Sequence, residues 1–165
     1  MAAAAGGGLE VQMKKTGILN ADLAYRMTQL RHMDHVVICD AGYPIPKDAV
    51  VVDVSLVEGL PTVPQVLKAL VEDCAFQEFT VLAPMKEVNP EYYQLVTSLF
   101  RVQDRFELSM DAFRAKAAQT AKFFIRTGDT LPCSNIILMS ASGVRERVIK
   151  YDVTWPETEN DGKKN

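Results

Sequence analysis

Histidine, cysteine and tryptophan are scarce in this chain of 165 residues, which has two His, three Cys and one Trp. Cys39, Cys74 and Cys133 are widely spaced, odd in number and form no C-x-x-C pair, so they read as reduced thiols of a cytoplasmic protein, buried as small core residues by default. A metal site needs several convergent ligands, and with no third histidine to join His32 and His35 none is expected. Basic charge is not in surplus: 18 Lys and Arg face 21 Asp and Glu, a net charge of -3, which argues against nucleic acid as a partner. No apolar run approaches the roughly 18 residues that a membrane span needs. Neither G-x-G-x-x-G nor G-x-x-x-x-G-K occurs, and Gly6-Gly7-Gly8 precedes no strand, so nucleotide binding of those kinds has no support. No internal repeat is found.

What is present is an ordinary globular composition, 48% hydrophobic and 24% charged, at a length that predicts one domain with a core of its own. Residues 1–12, with Ala-Ala-Ala-Ala-Gly-Gly-Gly, lack the basic flank and apolar segment of a secretory signal and are expected to be a flexible extension. The domain is expected over 13–155, and the polar residues 156–165 are expected to be disordered.

Asn20 caps and Asp22 suits the start of a helix predicted from Ala21 to about Arg31, with Leu23, Met27 and Leu30 on one face. A buried strand follows from His35 to Cys39, then a Gly-Tyr-Pro-Ile-Pro loop that no regular element can cross. Val50–Leu56 is a second strand, and Thr62 caps a helix from Val63 to about Glu72 with Pro64 in its first turn. Phe79–Ala83 is a third strand, joined by a Pro84–Pro90 loop to a helix from Glu91 to Phe100. Phe106–Ser109 is a short strand, and Ser109 or Asp111 caps an Ala-rich helix from Ala112 to Lys122. Phe123–Gly128 leads from that helix to a glycine turn, Asn135–Met139 is the last buried strand, and Val144–Trp155 holds a candidate edge strand. Strands alternating with helices require crossover connections, which makes the class α/β with a mainly parallel sheet flanked by helices.

The stretch from Arg31 to Pro46 holds both histidines, the most apolar strand and Asp40 at that strand's carboxyl end. In open α/β sheets ligands bind there. A histidine oriented by a carboxylate is a general acid or base near neutral pH, and Asp34, Asp40 and Asp53 are all candidate partners. Ser134 lacks the G-x-S-x-G turn of a nucleophile elbow. Tyr92-Tyr93 and Phe123-Phe124 read as core or interface aromatics.

Several motifs together resemble the D-ribose pyranase and L-fucose mutarotase family: Gly17-Ile18-Leu19-Asn20 with Asp22, His32-Met33-Asp34, Val37-Ile38-Cys39-Asp40-Ala41-Gly42 with Pro44-Ile45-Pro46, Gly59-Leu60-Pro61 with Val66-Leu67, and Thr127-Gly128 leading to Asn135-Ile136-Ile137-Leu138. The resemblance spans about Met13 to Gly143 and is nearer the ribose branch. It implies a single Rossmann-like domain assembled into a ring-shaped homo-oligomer, commonly a decamer, with monosaccharide sites between subunits. It also implies interconversion of the cyclic forms of a free sugar without cofactor or metal. Carried over, His32 matches the acid-base histidine, Asp40 the sugar-binding aspartate and Asn135 the asparagine that holds sugar hydroxyls. Two positions depart from the pattern: Met110 stands where ribose pyranases carry a second histidine, and Cys133 where both branches usually carry a tyrosine. A thiol is a weaker donor than a phenol and a thioether cannot titrate. Two readings therefore stay open, an active isomerase with a modified pocket, or a sugar-binding or ring-assembly relative that has lost activity. An enzyme on another small carbonyl compound is a third. His32 and Asp40 are eight residues apart, about 20 Å or more if the interval is extended, so either the chain folds back between them or a neighbouring subunit supplies His32.

Overall fold

The computed structural model describes residues 16–99 and 104–142. The expected flexible residues 1–12, the edge-strand candidate at Val144–Trp155 and the tail 156–165 lie outside the described residues.

Among the described residues five helices and six strands follow in the order α1 Ala21–Thr28, β1 His35–Cys39, β2 Val51–Asp53, α2 Val63–Asp73, β3 Phe76–Leu82, α3 Met85–Val88, α4 Pro90–Ser98, β4 Arg105–Leu108, α5 Met110–Thr120, β5 Ala121–Arg126 and β6 Ile136–Ser140. They form one six-stranded sheet in the order β2-β5-β1-β6-β3-β4. β1, β2 and β5 pair in parallel, as do β3 and β4, while β6 runs antiparallel to both β1 and β3. The mainly parallel α/β sheet read from the sequence is present. The reversed strand follows from chain length: residues 127–135, between β5 and β6, are too few for a helical crossover, so β6 runs back.

Alternation along the central strands divides the core in two. Val36 and Ile38 of β1, Phe123 and Ile125 of β5, and Ile136 and Leu138 of β6 face α1, α2 and α4, meeting Leu23, Met27, Leu67, Leu70 and Val96. Val37, Cys39, Phe124 and Ile137 face α5 through Phe113 and Ala117. β1 is buried from Val36 to Cys39 because both its faces are covered.

Local chemistry sets the helix ends. Asn20 Oδ1 accepts from the Leu23 amide at 2.9 Å, and Thr62 and Gln65 form a reciprocal capping box at the start of α2. α1 stops at Thr28 rather than Arg31, because Gln29 and Leu30 turn to i−3 carbonyls, those of Arg26 and Met27. β2 is three residues long rather than seven: its hydrogen-bonded register ends at Asp53↔Arg126, and Ser55 turns back onto the Asp53 carboxylate. β3 begins at Phe76, three residues early, since Phe76 and Glu78 already pair with β6. The Pro84–Pro90 loop contains the one-turn α3.

α5 starts at Met110 with Ser109, not Asp111, as its cap. It ends at Thr120, and Ala121–Arg126 is a strand that the sequence reading joined to the helix and its exit. No glycine or proline separates the two, so the chain passes from α5 into β5 at Ala121 without a local stop signal.

The turn at Val57–Leu60 rests on Gly128, whose amide donates to Pro61 O at 3.1 Å and whose carbonyl accepts from Gly59 at 2.6 Å. A Cβ at Gly128 would run into the carbonyl oxygens of Val57 and Leu60. Gly128→Ala is expected to destabilise the fold by about 1–3 kcal/mol, the usual cost of overpacking, seen as a lower urea midpoint with an unchanged slope.

Candidate functional site

β1, β5 and β6 meet at one end of the sheet, and their register decides what gathers there. Cys39 is opposite Arg126, and Ile38 is opposite Ile136, so the residues that follow β1 and precede β6, Asp40 and Asn135, are neighbours. The Asp40 amide donates to Asn135 Oδ1 at 2.8 Å, and Asn135 Nδ2 donates to Asp40 Oδ2 at 2.7 Å. Asp40 Oδ1 accepts from the Gly42 amide at 2.8 Å. The amide orientation of Asn135 is fixed by these two partners, since a flip would set oxygen against carboxylate. Asn135 is buried while Asp40 is partly open, so each carboxylate oxygen keeps acceptor capacity for a further donor.

Met110 and Cys133 lie at this same end. Both pack, half-buried, against the core cluster that includes Cys39, Phe113 and Ile137. Cys133 has a left-handed backbone, φ 61°. Burial and then the Asp40 charge push its thiol up, so at neutral pH it is a protonated, weak donor rather than a thiolate. Ser134 is fully buried, and its Oγ has no hydrogen-bond partner among the described residues. It therefore has no base to activate it.

His32 is at the other end. It is exposed, in the turn between α1 and β1, and its Nε2 lies 3.1 Å from Gln77 Oε1. With Nε2 donating to that oxygen, Nδ1 is the ring nitrogen left to accept a proton. None of the three carboxylates considered as its partner takes that place. Asp34 accepts from Lys122 Nζ at 2.5 Å and from the Arg31 amide at 2.7 Å, Asp40 is engaged with Asn135, and Asp53 with Arg126 and Ser55. The five-residue β1, at about 3.3 Å per residue, separates His32 from Asp40 by some 15 Å or more. The chain does not fold back to bring the two together within one protomer.

Sequence reading missed three residues that build the Asp40 end. Asp129 is buried, and its carboxylate accepts from Val63 N at 2.8 Å, from Leu131 N at 2.9 Å and from the Tyr92 hydroxyl. Its carbonyl accepts from the Ala41 amide at 2.8 Å. Burial and the Asp129 bond push the Tyr92 phenol far up, so it stays a donor. Tyr92 thus couples α4 to the loop that carries Cys133, and Asn89 Nδ2 donates to Pro132 O in the same loop. The third residue is Arg126, the last of β5. The only sequence signal for Asp129 is its place after Thr127-Gly128. An open cleft of about 290 Å³ lies beside Asp40, lined by Ala41, Ser55, Val57, Glu58, Arg126 and Thr130 among others.

His35 shares the parity of Val37 and Cys39 and so faces α5. Burial first, then the Lys116 charge, lower its pKa from 6.5, against the opposing charges of Glu78 and Asp34. The unfolded chain therefore binds this proton more readily than the folded one. The fold keeps the resulting stability above pH 6.5 and loses it as pH falls below that value. Thermal melting between neutral pH and pH 5 is expected to fall more steeply for the native chain than for His35→Gln. Parallel curves would remove His35 from this role.

A mainly parallel α/β sheet with an open cleft beside the carboxyl ends of its parallel strands defines the class: a protein built to hold a small ligand at that edge. Residues 13–144 match the RbsD / FucU transport protein family, and the chain belongs to it. The D-ribose pyranase of Kosmotoga olearia is 37% identical over 128 residues, covering 78% of this chain and 97% of the relative. That of Bacillus subtilis (strain 168) is 38% identical over 128 residues, with the same coverage. Among solved structures, Bacillus subtilis RbsD complexed with D-ribose superposes with a TM-score of 0.73 at 37% identity, covering 78% of this chain and 98% of that one. The fucose mutarotase of Streptococcus pneumoniae in complex with L-fucose shares the fold, with a TM-score of 0.60 at 19% identity and coverage of 73% and 91%.

Proposed function

We propose that this protein is a cofactor-free isomerase that interconverts ring forms of a free monosaccharide, with D-ribose the first candidate. The observation that carries the reading is the reciprocal Asp40–Asn135 pair at the ligand end of the sheet, in a chain 37% identical to a protein solved with D-ribose. Ring interconversion needs little machinery. A proton leaves the anomeric hydroxyl, another reaches the ring oxygen, and the C–O bond breaks to give an open-chain aldehyde. Closure by a different hydroxyl, with the protons moved in the reverse sense, gives the other ring. A histidine, whose imidazole can both take up and give back a proton, serves both directions.

In this reading Asp40 and Asn135 hold sugar hydroxyls, the carboxylate accepting and the amide both donating and accepting. His32 moves the proton through Nδ1. Because His32 and Asp40 sit at opposite ends of one sheet, the working site joins Asp40 of one subunit to the histidine of another, and the protein works as a homo-oligomer, with a ring-shaped decamer as the form we favour. Met110 and Cys133 pack at the same end of the sheet, and in this reading the thiol gives a sugar hydroxyl a weaker partner than a phenol would. The three free thiols support a cytoplasmic setting.

Saturation-transfer NMR on D-ribose, L-fucose and related sugars tests the proposal. Exchange between ring forms is expected to be faster with protein, and His32→Ala is expected to lower the accelerated rate by about 100-fold or more, from the lower end of the range for loss of a general acid-base group upward. Binding without acceleration for any sugar would favour the sugar-binding relative instead.

A further inference from the structure

Arg126 ends β5 between two strands: its register partners are Asp53 on β2 and Cys39 on β1. The side chain is spent in both directions. Nε and Nη2 both donate to the carbonyl oxygen of Ala41, at 3.2 and 3.1 Å. Nη1 donates to Asp53 Oδ2 at 2.8 Å and to Ser55 Oγ at 3.2 Å. Asp53 is itself held, its Oδ1 accepting from the Ser55 amide at 2.9 Å and the Ser55 hydroxyl at 2.5 Å. Ala41 is the residue after Asp40, where the β1 ladder has ended, and its amide is fixed by Asp129 O at 2.8 Å.

We propose that Arg126 is a positioning residue for the sugar site: held by Asp53 and Ser55, its guanidinium grips the Ala41 carbonyl and fixes the Asp40 carboxylate beside Asn135. This rests on the proposed function, and it extends the site to Arg126, Asp53 and Ser55, which act on the sugar through Asp40. The simpler account is a surface ion pair. Arg126 and Asp53 are 37% and 49% exposed, and at that exposure an ion pair alone contributes little. An ion pair does not explain why two of the three guanidinium nitrogens turn away from Asp53 onto one backbone oxygen. With Asp129 on the Ala41 amide and Arg126 on its carbonyl, both backbone polar groups of Ala41, in the two peptide units that follow Asp40, are held by β5 and its exit, so Asp40 inherits the rigidity of the sheet.

Arg126→Lys separates the two accounts, because an ammonium keeps the charge near Asp53 but lacks the planar fork that reaches Ala41 O at the same time. For the sugar that the native protein turns over, KM of Arg126→Lys is expected to rise about ten-fold or more with kcat within about two-fold, the pattern of lost ground-state binding. In an Asp40→Asn background the same substitution is expected to change sugar affinity by less than about two-fold, because it acts through Asp40. An unchanged KM in folded Arg126→Lys, or an equal loss of affinity with and without Asp40, would overturn the proposal. Should the native protein accelerate no sugar, the proposed function fails and the clamp is still read from amide hydrogen exchange at Gly42, whose N–H shares a peptide unit with the Ala41 carbonyl and donates to Asp40 Oδ1. Exchange about ten-fold faster in Arg126→Lys supports the clamp, and an unchanged rate contradicts it.

Discussion

The antiparallel insertion of β6 between β1 and β3 is the constraint on which the rest of the molecule depends. A strand arriving from the opposite direction brings its first residues, not its last, to the carboxyl ends of its neighbours. Asn135 thereby meets Asp40, and each satisfies a group of the other that would otherwise be left unpaired near a buried edge. Buried polar groups without partners are costly, so this reciprocal bond both closes the sheet end and prepares it for a polar ligand. The loop from β5 to β6 has to turn sharply to allow it, which accounts for the buried Gly128, the buried Asp129 and the left-handed Cys133 in a space of six residues.

Around that pair the chain invests heavily in rigidity. Asp129 ties the loop to the start of α2 and, through Tyr92, to α4. Arg126 ties the Asp40 turn to the edge strand β2. A site pre-set in this way loses little freedom when a small polar ligand binds, and for a ligand as weakly apolar as a sugar that saving matters more than buried area. The thiol and thioether of Cys133 and Met110 contribute packing to the same end while offering few hydrogen bonds, so in the proposed site the polar contacts belong to Asp40 and Asn135.

Much of this was legible in the sequence, for identifiable reasons. Asn20, Thr62 and Ser109 announce their helices because capping is a local interaction. β1 announces itself as an unbroken apolar run between turn formers, because a strand covered on both faces has no polar positions. β5 was hidden because it follows α5 with no breaker, and its Phe123-Phe124-Ile125 run fits a helix end as well as a strand. Family resemblance marks Asp40 and Asn135 one by one, but their pairing is legible in neither resemblance nor spacing, since residues 95 apart carry no periodicity. The clamps made by Arg126, Asp129 and Tyr92 depend on register and loop path, neither of which a single sequence states. The interval between His32 and Asp40 was the most informative sequence number, because a strand's rise per residue already forbids their direct contact.

The central claim is that one sheet carries the two halves of two different sites, with His32 at one end and Asp40 at the other. Mixing decides it most directly. His32→Ala and Asp40→Asn are each expected to be nearly inactive in the ring-exchange assay. Dissociated together and reassembled at equal amounts, they are expected to recover up to about one quarter of native activity, since random assembly pairs an intact His32 with an intact Asp40 from another subunit at that frequency. No recovery in mixed oligomers, with each parent variant folded and the native protein active, would place both residues in one protomer's site and contradict the account.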